Sequence, residues 1–344
     1  MNLPYAYGYP ALSGRLRSVP EDFVVDEVLG FVPEGRGEHL WLAIRKRGEN
    51  TAWIAKRLSR IAGCSERDVG YSGLKDRHAV TTQWFSLPVL PQSNRRPVNW
   101  ASLSEKTAAE IVVIARHTRK LRRGTHRANR FLLTVRNLQG ELASLPGRLE
   151  RVAREGVPNW FAEQRFGHDG GNLDAVREWF GGGKPPPRGQ QGILLSTARS
   201  ELFNAVLAAR IDHGNWLQPL PGEPLVLDGR HSFFIAQVDD ASLPARLVAG
   251  DVHTSGPLWG KEGSQAEGEC AAFEQGVIAL EPLLAAGLIR EGLEDARRPL
   301  RVIPRNMHWR IDEASRMLRV GFDLPSGSYA TAVMREIVDT SAGL

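Results

Sequence analysis

The spacing of apolar positions divides the chain into short alternating stretches and longer three-to-four-residue periodicities. His39 to Arg45 alternates, with Leu40, Leu42 and Ile44 on one face, as a half-buried strand requires. Thr51 to Ala62 places Ile54, Leu58 and Ile61 at i, i+4 and i+7, which predicts a helix with Thr51 as its N-cap. Gln83 to Val89, Ile111 to Ile114 and Phe131 to Arg136 predict further strands. A helix is expected from Gly147 to Gly156. Gly181 to Gly192, GGGKPPPRGQQG, is dense in chain breakers and predicts an exposed loop. Ser200 to Ile211 predicts a helix, with Leu202, Phe203, Val206 and Leu207 on one side. From Leu217 to Leu258 the chain is rich in Pro and Gly, with short β-like pieces such as His231 to Ala236. Glu274 to Leu288 is expected to be helical in parts. Met317 to Leu324 alternates as a strand, and Tyr329 to Val338 predicts a short helix. The mixture indicates an α+β protein without internal repeats.

Composition adds scale. A chain of 344 residues with 42% hydrophobic content can bury a large core, and its length favours two domains. No apolar run reaches membrane-spanning length, since Gly276 to Ile289 is interrupted by Glu281 and Pro282. The N-terminal MNLPYAYGYP has no cationic start and no apolar core, so a soluble, cytoplasmic protein is expected. The two cysteines, Cys64 and Cys270, lie far apart and in no metal-type spacing.

Charge changes the picture more. The net +5 combines +10 over residues 1–150, −6 over 151–300 and +1 over 301–344. Such an imbalance suits a polyanionic partner. A general excess of arginine, 37 of the 44 basic residues, would produce part of it as well.

Common catalytic signatures are missing. There is no dinucleotide-binding glycine fingerprint and no complete phosphate-binding loop; Gly260-Lys261-Glu262 lacks the hydroxyl. Deaminase zinc spacing and a serine elbow are also absent. Gly73-Leu-Lys-Asp-Arg-His stands out instead. It sets one carboxylate, Asp76, between Lys75 and Arg77, after a turn and before a strand. Flanking cations favour the ionised form that a carboxylate nucleophile or base requires. An ordinary solvated turn would have the same composition. Arg116 to Arg130 holds seven Lys/Arg in fifteen residues and no acid, so phosphate contact or a solvated basic loop would each explain it. It leads into Asn129 and Phe131, an amide and a ring suited to a base edge and a base face, although Phe131 also fits core packing.

Taken together, these features resemble the TruD family of tRNA pseudouridine synthases. Gly73 to Gln83 is similar to that family's G-x-K-D-x-x-A-x-T-x-Q signature. Pro20 to Glu27, Lys120 to Phe131, Val157 to Gly167, Ala198 to Asn204, Gly256 to Gly260 and Leu324 to Thr331 resemble its other motifs, in order. The resemblance implies a pseudouridine-synthase catalytic domain with a mixed, mainly antiparallel sheet and flanking helices, plus an inserted family-specific α/β domain. Residues 1–153 and 305–344 would form the catalytic part, with net charge +11, and 154–304 the insertion, with −6. It further implies isomerisation of uridine-13 in tRNA, without cofactor or metal; with no coiled-coil or repeat signal in the sequence, a monomer is expected.

By the same resemblance Asp76 is the catalytic carboxylate, and Phe23, Asn129, Phe131 and Tyr329 line the pocket for a flipped uridine. Arg17 or Lys75 is its possible charge partner. The family often has Lys at the first of these positions and Phe at the position of Tyr329. Arg119, Lys120, Arg122 and Arg123 are expected on the RNA backbone. A non-catalytic RNA-binding protein of the same fold is the alternative; it would have no need of the intact stretch around Asp76. Another base-flipping enzyme, such as a deaminase or methyltransferase, would lack its zinc or nucleotide-loop signature here.

Overall fold

The computed structural model describes residues 3–89, 98–236 and 240–340. It divides into two compact units. A sheet unit comprises Ala11–Leu145, Arg305–Gly327 and Val338–Leu344, and a helical unit comprises Met1–Pro10, Pro146–Pro304 and Ser328–Ile337. In chain order the sheet unit contains β1 (Ser13–Leu16), β2 (Phe23–Val28), β3 (His39–Arg47), α1 (Thr51–Ala62), β4 (Gly70–Tyr71), β5 (Val80–Pro88), β6 (Ala109–His117) and β7 (Ala128–Gln139). The helical unit follows with α2 (Leu145–Glu155), β8 (Val157–Pro158), α3 (Gly171–Phe180), α4 (Arg188–Asp212), β9 (Pro224–Leu227), β10 (Phe233–Ile235), α5 (Leu243–Ala249), β11 (Val252–His253), β12 (Ser255–Leu258), α6 (Gly268–Ile278), α7 (Pro282–Arg290), β13 (Ala296–Pro299) and β14 (Arg301–Val302). The chain then returns to the sheet unit with β15 (Arg305–Asp312) and β16 (Met317–Pro325), and α8 (Ala330–Ile337) rejoins the helical unit.

The sheet runs β15-β16-β7-β2-β5-β3-β6, with β1 on β7 and β4 on β5. Among the described residues β2 and β5 pair in parallel and the other strand pairs of this sheet are antiparallel. The mixed, mainly antiparallel α+β fold expected from the sequence is therefore the one observed. Leu42 and Ile44 of β3 alternate onto the face that α1 covers with Ile54 and Leu58, while Trp41 on the opposite face packs with Leu29 and Leu121.

Helix α1 spans the expected residues, but its cap is Asn50, whose Oδ1 accepts the Ala52 amide at 2.8 Å. Thr51 is the first helical residue and is buried, which releases its hydroxyl for contacts described below. Gly63 ends the helix at φ 66°, a left-handed position that suits glycine. The loop expected over 181–192 is shorter than anticipated. After Pro185-Pro-Pro187 the chain turns directly into α4, a 25-residue helix that begins well before Ser200. Buried Leu194, Ala198 and Leu202 recur every four residues along it, and that packing outweighs the low helix preference of Gly189 and Gly192.

The span 154–304, expected as an insertion, lies inside the helical unit. That unit also takes 1–10, 146–153 and 328–337, because Arg148 donates to the carbonyls of Glu336 and Gly8, and the Glu336 carboxylate accepts the Ala6 and Tyr7 amides. Among the described residues no single helix is long and apolar enough to cross a membrane.

Gly70 sets a close approach in the sheet unit. A Cβ there would overlap the Leu121 carbonyl oxygen and lie 2.6 Å from Ser86 Oγ, and Ser86 Oγ accepts the Leu121 amide at 2.9 Å. Gly70→Ala is expected to push the loop after β6 off β4 and to lower the unfolding free energy by about 1–3 kcal/mol, measured by denaturant titration.

Candidate active site

The floor of the site is one face of three adjacent strands. Phe23, Val25 and Glu27 share a face of β2, and the register sets them opposite Leu133, Phe131 and Asn129 of β7. Phe322 of β16 lies across from Phe131 on the other side. The Phe131 ring is buried, with its centroid 6.2 Å from Phe23 and 5.5 Å from Phe322. Asn129 is half-buried, and its Oδ1 has no hydrogen-bond partner among the described residues.

Asp76 sits on the loop joining β4 to β5, and that loop is fastened at several points. Gln83 Nε2 donates to the Gly73 carbonyl at 2.5 Å, and Gln83 Oε1 accepts from Thr51 Oγ1 at 2.9 Å. Thr51 Oγ1 accepts the Lys75 amide at 3.1 Å. The Lys75 ammonium reaches the buried Glu27 carboxylate at 2.6 Å, and Glu27 also accepts the Ser72 hydroxyl at 3.0 Å and the Trp84 amide at 2.9 Å. A short irregular segment is thus held on both sides of the carboxylate it carries. Most of the motif around Asp76 consists of these fasteners.

Arg17 meets Asp76 directly. Its Nη2 lies 2.9 Å from Asp76 Oδ2, and its guanidinium stacks 4.0 Å above the Phe23 ring centre. It follows β1 at φ 64°, an unusual conformation for a residue with a side chain. The Asp76 side chain keeps 37% of its surface exposed, so a substrate can reach it from solvent. Of the two cations considered as partners, Arg17 contacts Asp76 and Lys75 pairs with Glu27 instead.

The other sequence-predicted residues fall in two places. Arg119, Lys120, Arg122 and Arg123 are exposed on the loop between β6 and β7, and the Gly124 amide in that loop donates to the Ser72 carbonyl at 2.7 Å. The basic loop and the Asp76 loop are therefore tied together. Tyr329 belongs to the helical unit, just before α8, where its hydroxyl lies 3.5 Å from Arg165 Nη2. Burial lowers the pKa of Arg298, in the same unit, to about 10. Among the described residues no group of three or more His, Cys, Asp or Glu could hold a metal ion.

The sequence assigns no role to Glu27, Gln83, His126 or Lys46, and to Thr51 only that of a helix cap. Glu27 and Gln83 lie within the family-like motifs, so a signal existed. Lys46 gave none, because it reads as one of several basic residues ending a strand. It is 1% exposed and donates to the Glu49 carbonyl at 2.6 Å. Burial, then the Lys75 charge, push its pKa down to about 8, against the opposing pull of Asp76, Glu49 and Glu27. Burial likewise lowers the pKa of His126, against Glu27 and together with Lys75.

The Lys46 shift is a stability statement with a defined sign. From about pH 8 up to its ordinary value of 10.5, the unfolded chain holds this proton more tightly than the folded one, so raising the pH stabilises the fold. Below pH 8 both states are protonated and the penalty for the buried charge is constant. Relative to Lys46→Met, the wild type is expected to gain about 2–3 kcal/mol between these pH values, measured by parallel denaturant titrations.

A family model described as tRNA pseudouridine synthase D (TruD) matches residues 2–180 and 184–337. A tRNA pseudouridine synthase D of Nitrosococcus oceani is 47% identical over 340 residues, covering 98% of this chain and 94% of the relative. One from Xanthomonas axonopodis pv. citri is 44% identical, covering 98% and 95%. A crystal structure from Methanosarcina mazei assigned to tRNA pseudouridine synthase D superposes with a TM-score of 0.74 over 99% of both chains at 21% identity, a likeness of fold. With the family model spanning nearly its whole length, the chain belongs to the tRNA pseudouridine synthase D (TruD) family.

Proposed function

We propose that this protein isomerises uridine-13 of tRNA to pseudouridine, with Asp76 as the carboxylate that acts on the ribose of a flipped-out nucleotide. The single observation that carries the reading is the placement of Asp76. Its carboxylate is partly open to solvent, sits on Arg17, and is held by a fastened loop above the Phe23–Phe131 floor. Family membership supports tRNA as the substrate class and pseudouridine as the product.

The chemistry fits such a site. The C1′–N1 bond breaks, the uracil turns, and a C1′–C5 bond forms, while C5 gives up a proton and N1 gains one. The product is an isomer, so no co-reactant is consumed. An Asp carboxylate serves either by attack at C1′ or by proton removal at C2′. The target must leave the base stack, and aromatic surface compensates for the stacking it loses. Phe131 supplies a ring, Phe23 packs beside it, and the unpartnered Oδ1 of Asn129 suits the imide N–H of uracil. Arg17 positions the Asp76 carboxylate. Tyr329 is assigned to the uracil pocket on the sequence resemblance alone. Arg119, Lys120, Arg122 and Arg123 contact the backbone on the approach to Asp76.

Asp76→Asn is expected to abolish tritium release from C5-labelled uridine in tRNA while leaving tRNA affinity within about threefold. Full turnover in that variant would remove Asp76 from the mechanism. Reversing the charge of Arg119, Lys120, Arg122 and Arg123 together is expected to weaken tRNA binding and flatten its salt dependence, measured by filter binding across a salt series. Removing the neutralisation of one phosphate should reduce the log–log slope by roughly 0.7–0.9.

A further inference from the structure

A cavity lies in the sheet unit, outside the Asp76 cluster. It measures about 480 Å³, within the range of roughly 300–1,000 Å³ usual for small-ligand sites. Its apolar wall is made by Ala52 and Ala55 on one face of α1 and by Tyr71 of β4. Arg67, Arg122 and Arg123 rim it, and none of their side chains makes an ion pair or hydrogen bond among the described residues. Lys120, also at the rim, is held by its ammonium on the Arg67 carbonyl at 2.7 Å, and Glu66 is the one acid among the described lining residues.

The cavity is coupled to the reaction site through the backbone. Tyr71 precedes Asp76 by five residues, so the two lie within about 18 Å even if the chain between them is fully extended. The Gly124 amide, one residue beyond the arginine pair, is bonded to the Ser72 carbonyl at the start of the Asp76 loop.

We infer that this cavity is a subsite for one nucleotide of the substrate RNA close to the target uridine. The base lies against the Tyr71 ring and the two alanines, and its phosphates lie among Arg67, Arg122 and Arg123. An apolar slot with an aromatic wall accepts a flat base, and uncompensated guanidinium groups around the mouth select the anionic linkage. Ala52 is exposed at the cavity wall and carries only a methyl group, which leaves room for a base. The inference deepens the proposed activity by adding a second point of grip, and it rests on that reading for the identity of the RNA.

The test uses full-length protein and a series of tRNA substrates, each with one abasic nucleotide within three positions of the target. Tritium release gives kcat/KM for the wild type and for Ala52→Trp, which fills the slot from an exposed helix position. One abasic position is expected to cost the wild type about tenfold. Ala52→Trp should show a similar loss with intact tRNA and less than a twofold further loss at that same position. Tyr71→Leu should single out the same position, which guards against a folding defect in the tryptophan variant. A wild-type kcat/KM in Ala52→Trp, or a loss that adds equally to every abasic substrate, overturns the subsite. If the wild type releases no tritium from intact tRNA, the proposed activity falls, and the same coupling read by equilibrium binding of the RNA series decides the subsite by itself.

Discussion

The buried carboxylate of Glu27 is the constraint on which the site depends. It gathers the Lys75 ammonium, the Ser72 hydroxyl and the Trp84 amide, and its side chain has no exposed surface. Burying such a pair costs several kcal/mol of desolvation per ion, so it adds little net stability beyond what an apolar pair would give. Removing one partner is another matter, since an unpaired buried charge costs about 3–5 kcal/mol. The arrangement therefore acts as a lock. Asp76 occupies a loop with no regular backbone ladder, and a loop of that kind samples many conformations unless side chains hold it. Glu27 holds it from the sheet below, and Thr51 with Gln83 holds it from the helix side.

The lock also explains how much of the site could be read from the sequence. A lone carboxylate between cations fits an ordinary turn equally well, and it was the resemblance of Gly73 to Gln83 to a family motif that singled out Asp76. Its surroundings were not legible, because their roles depend on contacts distant in sequence. Glu27 and Lys75 are 48 positions apart and meet only through the β2–β5 pairing. Thr51 satisfies every rule for an N-cap, and only the position of Asn50 one residue earlier frees it to bind Lys75 and Gln83. Strands with strict alternation, such as His39–Arg47, emerged close to their expected limits. The start of α4 did not, because local composition at Gly189 and Gly192 argues for a loop while tertiary packing further along argues for a helix. Lys46 illustrates the same limit in electrostatics, since nothing in a strand ending Arg-Lys-Arg says which of the three cations is buried.

The acidic span contributes in a way that net charge conceals. Two of its glutamates, Glu223 and Glu274, are buried in ion pairs with Arg210 and Arg297. Burial raises the pKa of Glu223 against the opposing pull of Arg210. Such groups serve the interior of the helical unit and present no field to a polyanion. Each pair cancels in the count, so the net −6 of residues 154–304 is carried by the other charged groups of the span. In the sheet unit the side chains of Arg67, Arg122 and Arg123 have no acidic partner among the described residues.

Arg17 brings these themes to a single side chain. One guanidinium stacks on Phe23 and donates to Asp76, so it couples the aromatic floor to the carboxylate. A lysine could offer the charge but neither the flat surface nor a second donor in a fixed direction. The φ of 64° at Arg17 is costly for a residue with a side chain and persists only where surrounding contacts overdetermine it. The pairing of β1 with β7 fixes the residue before it, and the ion pair fixes its far end. The distance between floor and carboxylate is thereby set by one side chain, and the proposed reaction, in which a flat base and a ribose carbon are presented together, depends on that distance.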